Sequence, residues 1–347
     1  MIKRPNVGKP GVFISVIVPV RNEEPGILIF LRGLEKQSYS KSLFEIIIVD
    51  DHSEDKTFRL AGSFKSEHND LNISLIKLKD TSSKKAALTA GIKIAKGKII
   101  VTTDADCTFQ ELWLEALAGC YEQDHPEMII APVLVNADNT FFQRFQQYDY
   151  MAMQMMGLAS AELGLPILCS GANLAFTKEA FMSVNGYEGN ENIASGDDVF
   201  LCLKIKKQYP RGIKALIDSN AIVRTLPQHS VIDFINQRQR WSGKVRYYKN
   251  SYISFIGGII FIVNLILFFT GIVAFKSQEW LQVFAGLFFI KVIVEFVFLK
   301  TGAMFFSTRI RVLAFLFSEL IYPFYLLFLI VKSILTKAEW KGRTLKT

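Results

Sequence analysis

Alternation between short apolar strands and amphipathic helices is the feature that most limits how this chain can fold. Runs rich in β-branched residues predict strands over 13–19, 45–50, 72–78 and 98–103, and helical patterns over 23–38, 55–67 and 83–96 separate them. Strands that alternate with helices in this way form βαβ units on a parallel sheet. The first part of the chain is therefore predicted to be an α/β domain.

Polar clusters follow three of these strands. They read VRNEE at 20–24, DDHSED at 50–55 and DADC at 104–107. Ligands of open α/β sheets bind beyond the carboxyl ends of the strands, so the three clusters are expected to meet in one site.

Asp104 and Asp106, one residue apart at a strand end, are candidate ligands of a divalent cation. Mg²⁺ and Mn²⁺ prefer oxygen ligands and keep open positions for substrate phosphates. The alternative is a solvated turn with helix-capping acids, because Asp also favours such turns.

Three long apolar stretches follow, at 253–275, 280–299 and 312–331, and the first holds no charged residue. About 20 apolar residues cross a hydrocarbon core of about 30 Å, so residues 253–335 are predicted to be a membrane region. The second stretch holds Lys291 and Glu295, which at i,i+4 spacing are expected to neutralise each other on one helix face.

Charge is concentrated at the carboxyl-terminal end. Residues 238–347 hold 15 Lys+Arg and 4 Asp+Glu, a net +11, which leaves −3 for residues 1–237 out of the total of +8. This distribution fits a membrane segment beside anionic headgroups and argues against a nucleic-acid partner. The four cysteines show no CxxC spacing, which predicts thiols without zinc or disulfides.

The membrane topology contains a conflict. The amino-terminal residues lack the apolar region of a secretory signal, which predicts a cytoplasmic first domain. Three spans would then leave the basic tail, residues 336–347, outside, whereas the positive-inside bias predicts a cytoplasmic tail. We therefore expect one segment to be re-entrant or interfacial.

Two further stretches carry chemistry. Asp197 and Asp198 open a predicted helix, where a carboxylate could abstract a proton from a hydroxyl, although first-turn acids are also common without such a role. In QRQRW, residues 237–241, Arg240 suits a pyrophosphate, Trp241 a sugar or lipid face, and Gln237 a hydroxyl. Residues 238–252 also fit an interfacial helix with a snorkelling arginine and a belt tryptophan.

The stretch 141–166, dense in Phe, Tyr and Met, could form a surface for a lipid acceptor or simply part of the core. DADCT also resembles the DxDxT nucleophile motif of haloacid dehalogenase-like phosphatases. In those enzymes the motif follows the first strand, whereas here it follows the fourth predicted strand.

Seven stretches in order resemble the membrane-bound inverting glycosyltransferases of family 2, which include cellulose, chitin and hyaluronan synthases and ceramide glucosyltransferases. They are VIVPVRNEE, VDDHSED, KKAALTAG, TTDADC, GANLAF, GDD and QRQRW, within about residues 13–245. The resemblance implies a GT-A fold over residues 1–237, an α/β domain with a Rossmann-like mixed sheet, followed by transmembrane helices. It implies a multi-pass plasma-membrane enzyme with a cytoplasmic catalytic domain.

The implied reaction moves a sugar from a nucleoside-diphosphate sugar, UDP rather than GDP, to a lipid-linked or membrane-near acceptor. A processive polysaccharide synthase and a non-catalytic nucleotide-sugar binder are the alternatives within this resemblance. QxxRW is associated with processive synthases, but so few membrane segments leave little helix for a polymer channel.

The resemblance also implies residue roles. The nucleotide-sugar site would comprise Pro19, Arg21, Glu23, Asp51, Lys84 and Asp104. Asp104 and Asp106 would hold Mg²⁺ or Mn²⁺, Asp198 beside Asp197 would be the catalytic base, and Gln237, Arg240 and Trp241 would contact the acceptor and the diphosphate. Ser83 and Thr89 stand where the family often has Gly and Asn, and GDD replaces the commoner Glu-Asp couplet.

Overall fold

The predicted alternation of strands and helices is confirmed in a computed structural model, which describes residues 10–79, 82–138, 140–189, 196–248 and 250–336, with the backbone of 339–340 and 343–344. The first elements are β1 (Ile14–Val20), α1 (Ile27–Glu35), β2 (Phe44–Asp50), α2 (Thr57–Glu67), β3 (Ile73–Lys77), α3 (Lys84–Ile94) and β4 (Ile99–Thr102). The chain then divides into two units, one comprising Met1–Leu134, Met156–Glu191 and Asp197–Leu226, the other Val135–Met155, Asn192–Gly196 and Pro227–Thr347.

Ten further strands and α-helices follow β4 in the described part of the chain up to Thr225. They are β5 (Thr108–Phe109), α4 (Trp113–Asp124), β6 (Met128–Ile130), β7 (Val133–Val135), α5 (Phe141–Glu162), β8 (Leu174–Thr177), α6 (Lys178–Ser183), α7 (Asp197–Gln208), β9 (Ile213–Ala215) and β10 (Val223–Thr225). The helix α5 is shared between the two units, since the division falls at residues 155 and 156.

The main sheet of the first unit is mixed. Its strand order is β3-β2-β1-β4-β8-β6-β9. The strands β1, β2, β3 and β4 are parallel, with Ile14 opposite both Phe44 and Ile99. The strand β8 is antiparallel to β4 and β6. The order reverses between β1 and β4, and such a switch point opens a crevice at the carboxyl ends of these strands.

Close packing of α3 on β1 depends on one glycine. A Cβ on Gly91 of α3 would lie 2.6 Å from Ile17 Cγ2 and 3.2 Å from Val49 Cγ2, both fully buried in the sheet. Strands that are covered on both faces have continuous apolar sequences, such as IIIV in β2. The helix α3 can therefore bring Lys84, its first residue, to the carboxyl edge of the sheet.

The second unit contains the predicted membrane region. It includes α8 (Val231–Ser242), α9 (Ser251–Val273), α10 (Gln278–Phe305), α11 (Val312–Leu335), β11 (Glu339–Trp340) and β12 (Arg343–Thr344). By length and composition α9, α10 and α11 could each cross a membrane. The predicted start of the interfacial segment, residue 238, lies inside α8. Of the basic tail, the side chains after Thr336 lie outside the described residues.

A charge cluster, of which Lys291 and Glu319 are buried, joins α10 to α11. Lys291 Nζ lies 2.8 Å from Glu295 Oε1, which confirms the predicted pair at i,i+4 spacing. Lys291 also pairs with Glu319 of α11, a partner that sequence spacing could not reveal. Charged side chains in apolar helices are stable when they pair inside the bundle. Lys291 pairs in this way with both glutamates.

The aromatic stretch of α5 serves mainly as core in the second unit. Phe145 packs with Phe234 of α8 and with Tyr325 and Leu329 of α11. Phe145 and Phe234 meet edge to face, with ring centroids 5.9 Å apart. Tyr148 and Met151 are also buried. Within this unit α5 therefore holds α8 and α11 together.

Candidate active site

The DxD acids lie in a turn directly after β4. The N–H of Cys107 donates to the carbonyl of Asp104 at 3.1 Å and closes the turn. Asp106 Oδ2 accepts a hydrogen bond from the Thr225 hydroxyl at 3.0 Å. The register of β5 with β10, Arg224 opposite Thr108, brings Thr225 to this place. Thr225 was not predicted, because nothing in the local sequence links it to an acid 119 residues away.

Lys84 connects the DxD turn to the acidic couplet. Its Nζ lies 2.5 Å from Asp104 Oδ1. Burial lowers the pKa of Lys84, but the carboxylates of Asp104, Asp197 and Asp198 raise it by more, so the net shift is upward and the amine stays protonated. The Ser83 side chain caps α3 by accepting from Ala86 N–H. Ser83 therefore has a structural role where the family often has glycine.

The acidic couplet opens α7, as predicted. Gly196, just before it, has φ +88°, a conformation that L side chains rarely adopt. Asp197 Oδ1 lies 3.7 Å from Lys85 Nζ, and both side chains are almost buried. Asp198 is half-buried and accepts from the N–H of Gly171 at 3.1 Å. Of the two acids, Asp198 is the one more open to a substrate.

The GANLAF stretch links this couplet to β4. The Thr102 hydroxyl donates to the carbonyl of Gly171 at 2.9 Å. A Cβ on Gly171 would lie 3.8 Å from Asp198 Cβ and 3.9 Å from Lys84 Nζ. The structure therefore brings Lys84, Asp104 and Asp198 together, although Lys84 and Asp198 are more than a hundred residues apart in the sequence.

Asp51, after β2, presents a buried acceptor. Its Oδ1 accepts from the Ser82 hydroxyl at 2.5 Å and lies 3.1 Å from His52 Nδ1. Its Oδ2 is buried and has no hydrogen-bond partner among the residues that the structure describes. Arg21 Nη1 donates to the Asp51 carbonyl at 2.9 Å. A buried carboxylate oxygen left in this state is suited to accept from a ligand N–H.

The loop after β1 is held against the loop after β2. Asn22 has φ +52° and His52 has φ +60°, which is uncommon for non-glycine residues and is concentrated at functional sites. Asn22 N–H donates to the Ser53 hydroxyl at 3.1 Å. Glu23 N–H donates to Thr57 Oγ1 at 2.8 Å.

Pro19, the remaining predicted contact of the nucleotide, lies in β1 opposite Val49. It is half-buried in a strand whose other residues from Ile14 to Val20 are buried. Pro19, Arg21, Glu23 and Asp51 thus lie at or just beyond the carboxyl ends of β1 and β2.

The DxD pair fits a divalent cation. Burial raises the pKa of Asp106, and the neighbouring carboxylate of Asp104 raises it further. A cation between two such acids relieves their repulsion, and their oxygens are the ligand type that Mg²⁺ and Mn²⁺ prefer. No group of three or more His, Cys, Asp or Glu suited to a metal occurs in the described part of the chain. Phosphate and water oxygens would therefore complete the coordination.

QRQRW lies in α8 of the second unit. Gln237 Oε1 accepts from Arg238 Nη1 at 2.6 Å, and the Trp241 ring lies 5.8 Å from that of Tyr150. Gln237, Arg240 and Trp241 are all half-buried.

Arg238, which was not predicted, is the buried arginine of this stretch. Its Nε lies 2.7 Å from Asp149 Oδ2, and its guanidinium lies 4.4 Å from the centroid of the Trp241 ring. Two of the residues within QRQRW are thus structural, since Gln239 Nε2 also donates to the carbonyl of Thr336 at 2.9 Å.

Comparison with known proteins assigns part of the chain to a family. Residues 15–183 match the model of "Glycosyl transferase family 2". They form a family 2 glycosyltransferase domain. The match includes DADCT, so the DxD belongs to this domain and not to a dehalogenase-like phosphatase. The family 2 domain includes the nucleotide-side residues and the DxD, whereas the couplet and QRQRW lie beyond the matched range.

Two relatives are also glycosyl-transferring enzymes by name. The chain is 38% identical over 103 residues to "Glycosyltransferase AglE" of Haloferax volcanii, which is 30% of this chain and 33% of the relative. It is 33% identical over 158 residues to "Undecaprenyl-phosphate 4-deoxy-4-formamido-L-arabinose transferase" of Pseudomonas fluorescens, 45% of this chain and 46% of the relative. These matches span about a third to a half of the relatives' lengths.

Among solved structures, the mannosyltransferase PcManGT from Pyrobaculum calidifontis, in complex with GDP-Man and Mn²⁺, superposes with a TM-score of 0.60. The identity is 18%, and the superposition covers 96% of this chain and 91% of that one. At this identity the likeness concerns the fold, and it confirms the GT-A architecture.

Proposed function

We propose that the chain is an inverting, metal-dependent glycosyltransferase that moves a sugar from a nucleoside-diphosphate sugar to a lipid-linked or membrane-near acceptor. One observation carries the proposal: Lys84 lies against Asp104 and close to Asp198, at the carboxyl edge of β4. The two acids proposed to hold a cation, the Lys84 ammonium group and the half-buried Asp198 carboxylate would thus share one crevice, within the family 2 domain and the residues that follow it.

The donor nucleotide is proposed to bind at the ends of β1 and β2. Asp51 Oδ2, a buried acceptor without a hydrogen-bond partner in the described residues, would accept an N–H of the base. One such oxygen matches the single imide N–H of uracil better than the paired donors of guanine, which supports UDP over GDP. Pro19, Arg21 and Glu23 complete this pocket.

The diphosphate is proposed to lie between Asp106 and Lys84. A cation held by Asp104 and Asp106, Mg²⁺ or Mn²⁺, would neutralise the charge that develops on the leaving diphosphate. Lys84, which stays protonated, would then exchange part of its contact with Asp104 for a phosphate oxygen. A fixed ammonium stabilises the leaving group without reorganisation during the reaction.

The transfer step is proposed to use Asp198 as the general base. Its carboxylate takes the proton of the acceptor hydroxyl as that oxygen bonds to the anomeric carbon. The bond from this carbon to the phosphate oxygen breaks on the opposite side, so that configuration inverts and the nucleoside diphosphate leaves. Asp197 is engaged by Lys85 and supports the position of α7.

Release of nucleoside diphosphate tests this function. Detergent-solubilised protein with Mn²⁺ or Mg²⁺ should release UDP from UDP-sugars in preference to GDP from GDP-sugars, and a lipid-linked acceptor should increase the rate. Binding of the donor without any release would favour a non-catalytic nucleotide-sugar binder. Products that grow by many sugars would favour a processive synthase.

Acceptor recognition rests on resemblance. We assign Gln237, Arg240 and Trp241 to the acceptor and the diphosphate because they match QxxRW, and α8 lies directly before the first apolar helix. The relative that acts on undecaprenyl phosphate supports a lipid-linked acceptor. Transfer of one sugar is preferred, because the chain has only three candidate spans among its described residues.

The protein is proposed to reside in the plasma membrane with the catalytic domain and the tail in the cytoplasm. Gln239 of α8, which precedes α9, donates to the carbonyl of Thr336 at the end of α11. At the other end of α11, Arg311 N–H donates to the Tyr148 hydroxyl at 2.9 Å. Both ends of α11 thus contact helices, α8 and α5, that are not among the candidate membrane spans of the described residues. We infer that α9 and α10 cross and that α11 returns or lies at the interface.

A further inference from the structure

A groove of about 620 Å³ lies beside the start of α11, within the second unit. Phe141, Leu313, Phe317 and Ile321 are its large apolar lining residues, and Arg144 and Arg311 are its basic ones. None of the described residues that line the groove is acidic. It therefore combines an apolar surface with positive charge.

Arg144 is oriented by the protein and yet keeps an unused donor. Its Nη1 donates to Gln147 Oε1 at 3.1 Å, and Gln147 Nε2 donates to the Val135 carbonyl at 2.9 Å. Its Nε is buried and has no hydrogen-bond partner among the described residues. A buried guanidinium N–H without an acceptor is costly, and a charge-assisted bond to an anion would remove that cost.

The start of α11 adds backbone donors. No side chain caps this helix at Arg311. Val312, Leu313 and Ala314 form its first turn and line the groove. The N–H groups of a first turn lack intrahelical acceptors and favour anions. Tyr148 accepts from the Arg311 N–H and so positions the helix start next to α5.

We propose that this groove binds the phosphate head of a membrane lipid. The two guanidinium groups and the first turn of α11 hold the phosphate, and the hydrocarbon chains lie along Phe141, Phe317 and Ile321. The apolar wall is continuous with the exposed side of α11, where Leu313, Phe317 and Ile321 are each at least 41% exposed. Charge complementarity selects an anionic head, and the wall selects a lipid over free phosphate.

This site goes beyond the proposed function, because lipid binding can be measured without donor or metal. The experiment uses the full chain in detergent and follows its melting temperature and its lipid adducts by native mass spectrometry. The probes are dioleoyl phosphatidic acid, dioleoylglycerol and inorganic phosphate. Phosphatidic acid is expected to bind and to raise the melting temperature, and the other two are expected to do neither.

Three variants sharpen the test. Arg144→Gln and Arg311→Gln should each weaken phosphatidic acid binding by at least about tenfold. Arg309→Gln, an exposed arginine that is not among the lining residues, should bind as the wild type does. If Arg144→Gln fails to fold, phosphatidic acid binding by Arg311→Gln tests the proposal.

Three results would overturn the proposal. Equal binding of dioleoylglycerol would show an apolar groove only, and equal binding of inorganic phosphate would show an anion site without lipid preference. Unchanged affinity in the folded arginine variants would place the lipid elsewhere.

Discussion

The ammonium of Lys84 lies 2.5 Å from Asp104 Oδ1, so one of the two proposed metal-binding acids is already paired with a cation in the protein itself. The pair is about one-third exposed at both partners. Lys84 is therefore in a position both to compete with a metal at Asp104 and to bind the diphosphate that arrives with it.

Replacing Lys84 by Met should consequently change two affinities in opposite directions. Without nucleotide, Mn²⁺ should bind several-fold more tightly, because a positive charge next to Asp104 is removed. With Mn²⁺ present, the nucleoside diphosphate should bind about tenfold or more weakly, because a phosphate partner is lost. Electron paramagnetic resonance of free Mn²⁺ measures the metal affinity, and calorimetry with UDP measures the nucleotide affinity. Parallel changes in both affinities would contradict the double role.

Asp106→Ala should abolish metal-dependent donor binding, since Asp106 is the proposed direct ligand. Calorimetry of UDP with and without Mn²⁺ checks this, and the variant should show no gain from Mn²⁺. Asp70→Asn is a control, because Asp70 pairs with Lys41 on the surface. An Asp106→Ala protein that retains wild-type affinity would remove the metal site from the mechanism.

Asp198→Asn should separate chemistry from binding. If Asp198 is the base, donor and metal affinity persist while transfer falls by about 10² to 10⁴, the usual range for a positioned general base. Asp197→Asn should affect transfer less, because its carboxylate faces Lys85. If both acids only favour the helix start, each variant loses about 0.5 to 2 kcal/mol of stability with turnover nearly intact. Melting temperature, UDP affinity and transfer rate on both variants decide.

The side of the tail can be tested by labelling. In a cysteine-free background, a cysteine at Thr347 or Ser307 should resist a membrane-impermeant thiol reagent in intact cells. A cysteine at Lys276, between α9 and α10, should react. Labelling at position 347 together with protection at 307 would mean that α11 crosses the membrane and that the tail is outside.

The contact of α3 with β1 predicts a stability difference between two glycines. Gly91→Ala places a Cβ 2.6 Å from the buried Ile17 Cγ2 and should cost about 1–3 kcal/mol. Gly62→Ala, in α2, meets only Leu75 Cδ1 at 3.9 Å and should stabilise by about 0.4–1 kcal/mol. Thermal unfolding of the two variants measures the difference. Equal melting temperatures would mean that the sheet and α3 adjust to the added methyl group.

Local pattern was sufficient for much of this protein. The strands β1 to β4 and the helices between them follow from periodicity, because each buries a face or a whole surface that its own residues define. The three apolar helices follow from the length of their apolar runs. The acids after β4 and the couplet that opens α7 were also found, since carboxylates at strand ends and helix starts are recognisable in a linear sequence.

Contacts between distant residues needed the tertiary structure. The pairing of Lys84 with Asp104, of Lys291 with Glu319, and of Thr225 with Asp106 joins residues on different elements. So does the burial of Arg238 beside Asp149, which separates a structural arginine from Arg240 two positions later. Periodicity reports which face of an element is buried, whereas partners across elements depend on strand order, register and helix packing. For this reason the sequence alone determined the elements and the candidate acids, and only the folded chain decided which charges meet.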